Sequence, residues 1–180
     1  MPRIHPVNIS QVPPDTKAAF EKHVKEYTAR ITNMKATLGH SLVAFEVYMQ
    51  WYPLYEEVKK ILGGRMAYLY AHAISHASNC PLCTTFFRKI IMDAGENPEE
   101  LQLTPQEQLL LDFGSTIAQQ TGQVPDELYR QIEQLYSKPQ IVILVAFAGQ
   151  MIATNIFNNV LEVEIDEYLY PYTSTLTRTV

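Results

Sequence analysis

Two capping boxes, Thr104-Pro105-Gln106-Glu107 and Ser137-Lys138-Pro139-Gln140, constrain the fold of this chain more tightly than anything else in it. In each, a hydroxyl side chain accepts from the N–H three residues on, while the Glu or Gln there reaches back to the hydroxyl residue's own N–H. A proline in the first turn removes no hydrogen bond, because the first helical N–H groups have no intrahelical partner. Strands have no use for either device. The first box introduces a helix to about Gln120 and the second a helix ending near Val163, while Pro125-Asp126-Glu127 starts one between them that reaches Tyr136. Asn97-Pro98-Glu99-Glu100 opens a short helical turn.

The N-terminal half is punctuated in the same way. After Pro13-Pro14, Asp15 caps a helix to about Leu38 with Ala19, Phe20, Val24, Tyr27 and Ile31 on one apolar face, and Gly39 ends it. Ser41 caps the next helix, Pro53 kinks or restarts it, and Gly63-Gly64 closes it. A helix from Arg65 to about Ser78 leads to Cys80, and Pro81 starts another that ends near Gly95. Turn-bounded alternating strands are missing, so the fold class is all-α, and the length suits one domain over residues 1–180. The most apolar run, Ile141 to Ala148, falls well short of the roughly 20 residues that span a bilayer. It reads as the buried face of a long helix. The tail from Tyr168 to Val180 is expected to wrap a surface or a neighbouring subunit.

A net charge of -5, with Lys and Arg scattered, argues against a nucleic-acid face. Only 18% of residues are charged and 47% are apolar, which leaves much neutral surface and fits a homo-oligomer. The start, Met1-Pro2-Arg3-Ile4-His5-Pro6, has no apolar run of signal-peptide length, so the expectation is a cytoplasmic protein without a membrane partner.

Cys80 and Cys83 are the only cysteines, and they form a Cys80-Pro81-Leu82-Cys83 motif at the start of a helix. The free N–H groups and positive dipole end there favour a thiolate, which points to redox or nucleophilic thiol chemistry. Two other readings stay open: small buried apolar side chains, or a zinc site of His72, His76, Cys80 and Cys83. Structural zinc sites usually fold two separated ligand pairs round the metal, whereas these four come from one short stretch. Tyr68, His72, His76 and Cys80 are spaced four apart, a stripe that drifts only about 40° per step. His72 and His76 are therefore candidates to take the thiol's proton. Trp51 with Tyr48, Tyr52 and Tyr55 reads as core or subunit interface, not as a ligand platform, and Glu46, Glu56 and Glu57 as solvent-facing. Gly63-Gly64 lacks the flanks of a phosphate loop, and no nucleophile-elbow or dinucleotide fingerprint is present.

Several segments taken in order resemble the carboxymuconolactone decarboxylase and alkylhydroperoxidase D-like family. They are Arg3-Ile4-His5-Pro6-Val7, the helix pair leading to Leu62-Gly63, the CxxC, Asp93-Ala94-Gly95, Leu103-Thr104-Pro105-Gln106-Glu107, Leu135-Tyr136-Ser137-Lys138-Pro139-Gln140 and Asn155-Ile156-Phe157-Asn158-Asn159-Val160. The resemblance implies a multi-helix bundle with the CxxC at a helix N-terminus, assembled as a homo-oligomer. It implies Cys83 as the thiol that attacks a peroxide and Cys80 as the one that resolves it, with no cofactor or metal. It also brings departures. The relay glutamate twelve residues before the first cysteine is Tyr68 here, the histidine four after the second is Phe87, and the histidine sometimes found between the cysteines is Leu82. His72, and next His76, stand where a substitute would be sought. Tyr68 offers a hydroxyl that is a poor base.

The resulting expectation is a thiol-dependent oxidoreductase that reduces a small hydroperoxide through a Cys80/Cys83 dithiol–disulfide cycle, re-reduced by an electron-donor protein. The altered relay motivates an alternative, an oligomeric redox sensor or ligand-binding protein without turnover. Phe86, Phe87, Leu82 and Met66 favour an organic substrate over hydrogen peroxide.

Overall fold

A computed structural model describes residues 1–173. Eight α-helices and two short 3-10 turns, Ile9–Gln11 and Glu167–Tyr172, make up its regular structure, with no strand among the described residues. The helices are α1 (Pro14–Tyr27), α2 (Asn33–Leu38), α3 (Leu42–Met49), α4 (Trp51–Ala77), α5 (Pro81–Asp93), α6 (Pro105–Gln119), α7 (Asp126–Leu135) and α8 (Lys138–Leu161). Both capping boxes form as the sequence predicts, and Ser41 accepts from the Ala44 N–H.

Three local expectations are corrected. The helix read from Asp15 to Leu38 is two helices. Thr28 takes a left-handed φ of 49° that ends α1, and the Thr32 hydroxyl accepts from the Lys35 N–H to start α2. Asp15 lies in the first turn of α1 and makes no cap, and Val24 is exposed where Thr16, Phe20 and His23 are buried. Asn97–Glu100 forms a turn and no helix. By contrast, the break at Gly63 is real: its φ of 76° and ψ of 164° interrupt α4, a conformation open to a residue without Cβ. Pro53 falls in the first turn of α4, where helical structure restarts after Gln50.

The second half of α4 is the centre of the fold, packed against α5, α6 and α8. Ala67, Tyr70, Ala71 and Ile74 of α4 are fully buried with Ile91, Leu144, Phe147 and Ala148. Helix α8 is long and apolar enough by length and composition to cross a membrane, so its apolar stretch extends beyond the eight residues of the sequence reading. Here it is a core helix that buries one face against α4 and carries buried Thr154, Asn155 and Asn158. Arg65, just after the Gly63 break, donates to both carboxylate oxygens of Glu96 and to Glu107, tying the loop before α6 to α4. After α8 the chain turns at Glu162 (φ 50°) into a strap. The strap is pinned by Asn33, whose N–H donates to Asp166 and whose side chain donates to the Glu164 carbonyl, and by Arg88 donating to the Tyr172 carbonyl. The tail therefore lies on its own α2 and α5 as far as residue 173, and the expectation for residues 174–180 falls outside the described part.

Gly114 sits where α6 crosses Tyr70, and a Cβ built there would lie 2.5 Å from the ring. The ring cannot readily yield, because its hydroxyl donates to the Leu144 carbonyl of α8. Gly to Ala in an open helix stabilises by about 1 kcal/mol. Gly114→Ala should instead lower stability by about 1–3 kcal/mol, seen as a lower urea midpoint with an unchanged slope.

Candidate active site

Cys80 is the N-cap of α5, with extended backbone, and its Sγ accepts from the Cys83 N–H at 3.5 Å. A sulfur thus occupies the position usually held by a Ser, Thr, Asp or Asn oxygen. Pro81 at the first helical position adds no unsatisfied donor. Both thiols are free and buried, with exposures of 1% and 6%. Asn158 of α8 donates from Nδ2 to Cys83 Sγ at 3.2 Å and to Cys80 Sγ at 4.0 Å, so the two sulfurs share one amide. The Cys80 thiol is made more acidic by the hydrogen bond from Cys83, against the opposing effect of burial, and further by the helix N–H groups and Asn158. The Cys83 thiol is pushed up, first by that same bond to Cys80 and then by burial. Cys80 is therefore the more acidic thiol of the two.

Cys83, and not Cys80, lines a cavity of about 100 Å³. Its walls are mostly aromatic and aliphatic, with Trp51, Phe86, Phe87 and Met151 among them. Tyr48 and Tyr52 join Trp51 there, so three members of the aromatic cluster that reads from sequence as core or subunit interface pack against the core and also line the cavity. Trp51 keeps its polar atom satisfied by donating from Nε1 to Met151 Sδ. The strap closes the cavity with Asp166, Tyr168 and Leu169. Helix α2 adds Lys35, itself only 7% exposed.

The stripe Tyr68, His72, His76 does not reach the thiols. It would need α4 to continue to Cys80, but α4 stops at Ala77, Asn79 takes a left-handed φ of 50°, and Cys80 is extended. Tyr68 donates to Glu96 in the Arg65 cluster. His72 and His76 face one another with ring centroids 6.3 Å apart. Burial, then His76 and Arg88, lower the His72 pKa to about 4, so it is neutral at neutral pH and a weak base. None of the three lines the cavity. Of the two positions where the resemblance expects relay groups, Phe87 lines the cavity and Tyr68 does not. Among the described residues no three His, Cys, Asp or Glu side chains gather to hold a metal ion. Asn158, Lys35 and Asp166 are the site residues that sequence reasoning misses. Asn158 alone had a signal, its place in the Asn155–Val160 segment of the resemblance.

No family model matches the chain, and no curated protein does. Solved structures do. The debrominase Bmp8 without ligand superposes with a TM-score of 0.76 at 16% identity, over 94% of this chain and 95% of that one. A cysteine-to-alanine variant of Bmp8 in complex with 2,3,4-tribromopyrrole gives 0.72 at 15% identity, over 94% of each chain. An alkylhydroperoxidase AhpD core, an uncharacterized peroxidase-related protein from Ralstonia eutropha JMP134, gives 0.69 at 14% identity, over 94% of each. The chain has the all-α AhpD-like fold.

Asn158 offers the one side-chain amide that stabilises charge on this pair, and hydrogen bonds to charged groups are worth about 1.5–3 kcal/mol. Asn158→Ala should raise the pH at which the first thiolate appears and slow alkylation by iodoacetamide near neutral pH by about tenfold or more. Thiolate absorbance against pH checks the first effect and alkylation kinetics the second.

Proposed function

We propose that this AhpD-like chain is a thiol oxidoreductase that reduces a small organic hydroperoxide through a Cys80/Cys83 dithiol–disulfide cycle. The observation that carries it is the arrangement of the two sulfurs. One lines a largely apolar cavity while the other caps α5 outside it, and both accept from the same Asn158 amide, which suits a division of labour between an attacking and a resolving thiol. Cys80, favoured as thiolate by the start of α5, takes the proton of the neighbouring Cys83. The Cys83 thiolate then attacks the terminal peroxide oxygen. An S–O bond forms, the O–O bond breaks, and the departing alkoxide leaves as the alcohol after taking up a proton. Cys83 is now a sulfenic acid. Cys80 sulfur attacks it, the S–S bond forms, and the S–O bond breaks to release water, so two electrons have passed from dithiol to peroxide. A donor dithiol protein restores the pair. Such a cycle suits a reducing, cytoplasmic compartment.

A second reading has its own observation. The aromatic cavity, and the fold shared with a debrominase, favour an aryl halide as oxidant of the same dithiol. The carbon–halogen bond breaks, carbon gains hydrogen, halide leaves, and the pair ends as the same disulfide. A sensor would differ from both in being oxidised once, without turnover.

The cavity does not account for the valines exposed along α3 and α8: Val43, Val47, Val142, Val145 and Val160. These patches support a homo-oligomer. Val145→Glu should shift the sedimentation coefficient toward monomer while the helical circular dichroism stays unchanged.

Stopped-flow oxidation of the reduced protein by cumene hydroperoxide, hydrogen peroxide and a bromopyrrole separates these readings. Disulfide formation fastest with cumene hydroperoxide supports the first, and bromide release supports the second. Cys83→Ser should abolish turnover, whereas Cys80→Ser should leave a sulfenic acid on Cys83 that mass spectrometry detects after dimedone trapping. Inertness of both thiols toward all three oxidants would sink both enzymatic readings.

A further inference from the structure

The cavity that Cys83 lines also holds three polar side chains for which the thiol cycle has no use: Lys35, Tyr52 and Asp166. They come from α2, α4 and the strap, elements brought together only by the fold. Lys35 donates from Nζ to the Arg30 carbonyl at 2.9 Å and to the Tyr52 hydroxyl at 2.8 Å, which leaves one of its three N–H bonds free. The Tyr52 oxygen accepts that bond, and its own O–H finds no acceptor among the described residues. One Asp166 oxygen accepts from the Asn33 N–H at 2.9 Å, while the other is buried without a partner. Buried polar atoms nearly always have partners, so the open Asp166 oxygen, in a cavity with two donors that have bonds to spare, is suited to a ligand. Burial lowers the Lys35 pKa to about 8 and raises that of Tyr52 to about 12, so at neutral pH both groups are donors. Asp166 is close enough to favour the Lys35 charge, yet the two do not close an ion pair that would satisfy each other.

We propose that Lys35, Tyr52 and Asp166 form a hydroxyl-recognition site in the thiol cavity, and that the hydroperoxide or aryl halide reduced at Cys83 is a single-ring aromatic molecule that also carries a ring hydroxyl. The inference rests on the thiol-oxidoreductase reading for the chemistry at Cys83 and adds the class of molecule that chemistry acts on. Two open donors and one open acceptor match the two lone pairs and one proton of a neutral hydroxyl. A carboxylate would be repelled by Asp166, an ammonium group by Lys35, and an ether would leave Asp166 unpartnered. Trp51, Phe86 and Phe87 supply faces for a ring, and a cavity of about 100 Å³ is of the order that admits one.

Trp51 is the only tryptophan and lines the cavity, so its fluorescence reports occupancy directly. Three unreactive probes, 4-methylphenol, 4-methylanisole and toluene, are titrated into the reduced protein. A site built to bond a hydroxyl should bind 4-methylphenol at least about tenfold more tightly than the other two. Tyr52→Phe and Asp166→Asn each remove one open partner with little change of shape, and the preference should collapse toward unity in both. Equal affinities in the wild-type protein overturn the proposal, and so does a preference that survives both substitutions. Should either variant fail to fold, the wild-type comparison and the remaining variant decide. No oxidant is present, so a clear hydroxyl preference with inert thiols would count against the oxidoreductase reading alone. Rapid thiol turnover with equal probe affinities would count against this site alone.

Discussion

The start of α5 is buried, and the N–H groups that every helix start leaves open must be satisfied there without water. A sulfur does it. Cys80 caps the helix, and the N–H groups that it satisfies are the ones that hold its negative charge. Stability of the helix start and acidity of the thiol pair are therefore one interaction seen from two sides. The long α8 completes it by docking on α4 in a register that delivers Asn158 to both sulfurs.

The Arg65 cluster with Glu96 and Glu107 ties the loop before α6 to the kinked centre of α4, and it takes up Tyr68 as a hydrogen-bond donor. His72 is buried, neutral and close to Arg88, which leaves it no reason to take a thiol proton. Around Cys83 the cavity wall is largely carbon, and among the described residues no histidine lines it.

The strap after α8 does two jobs with few residues. Asp166 accepts from the N-terminus of α2, and the Tyr168 ring lies 4.3 Å under the Arg30 guanidinium, so the strap is locked to the N-terminal helices. In the same stretch Asp166, Tyr168 and Leu169 close the cavity over Cys83. The interior of the site is thus assembled from residues more than a hundred positions apart, and its polar end depends on the strap staying in place.

Much of the architecture was legible in the chain because helix punctuation is local. The two capping boxes, Ser41, Pro81 and Gly63 mark their boundaries by backbone chemistry that operates within a few residues, and each stands where that chemistry puts it. The thiol pair at a helix start was legible for the same reason. The break at Thr28 was not, since a left-handed threonine carries no sequence mark. Periodicity misled at the histidines, because extending a four-residue spacing across Ser78 and Asn79 assumes a helix that the turn has already ended. What only the tertiary structure decided is which distant side chains share a cavity: Asn158 against the sulfurs, and Lys35, Tyr52 and Asp166 beside Cys83. A spacing rule describes neighbours along one helix, whereas this site is made where α2, α4, α5, α8 and the strap converge, and burial there is the largest influence on the acidity of Lys35, Tyr52 and Asp166.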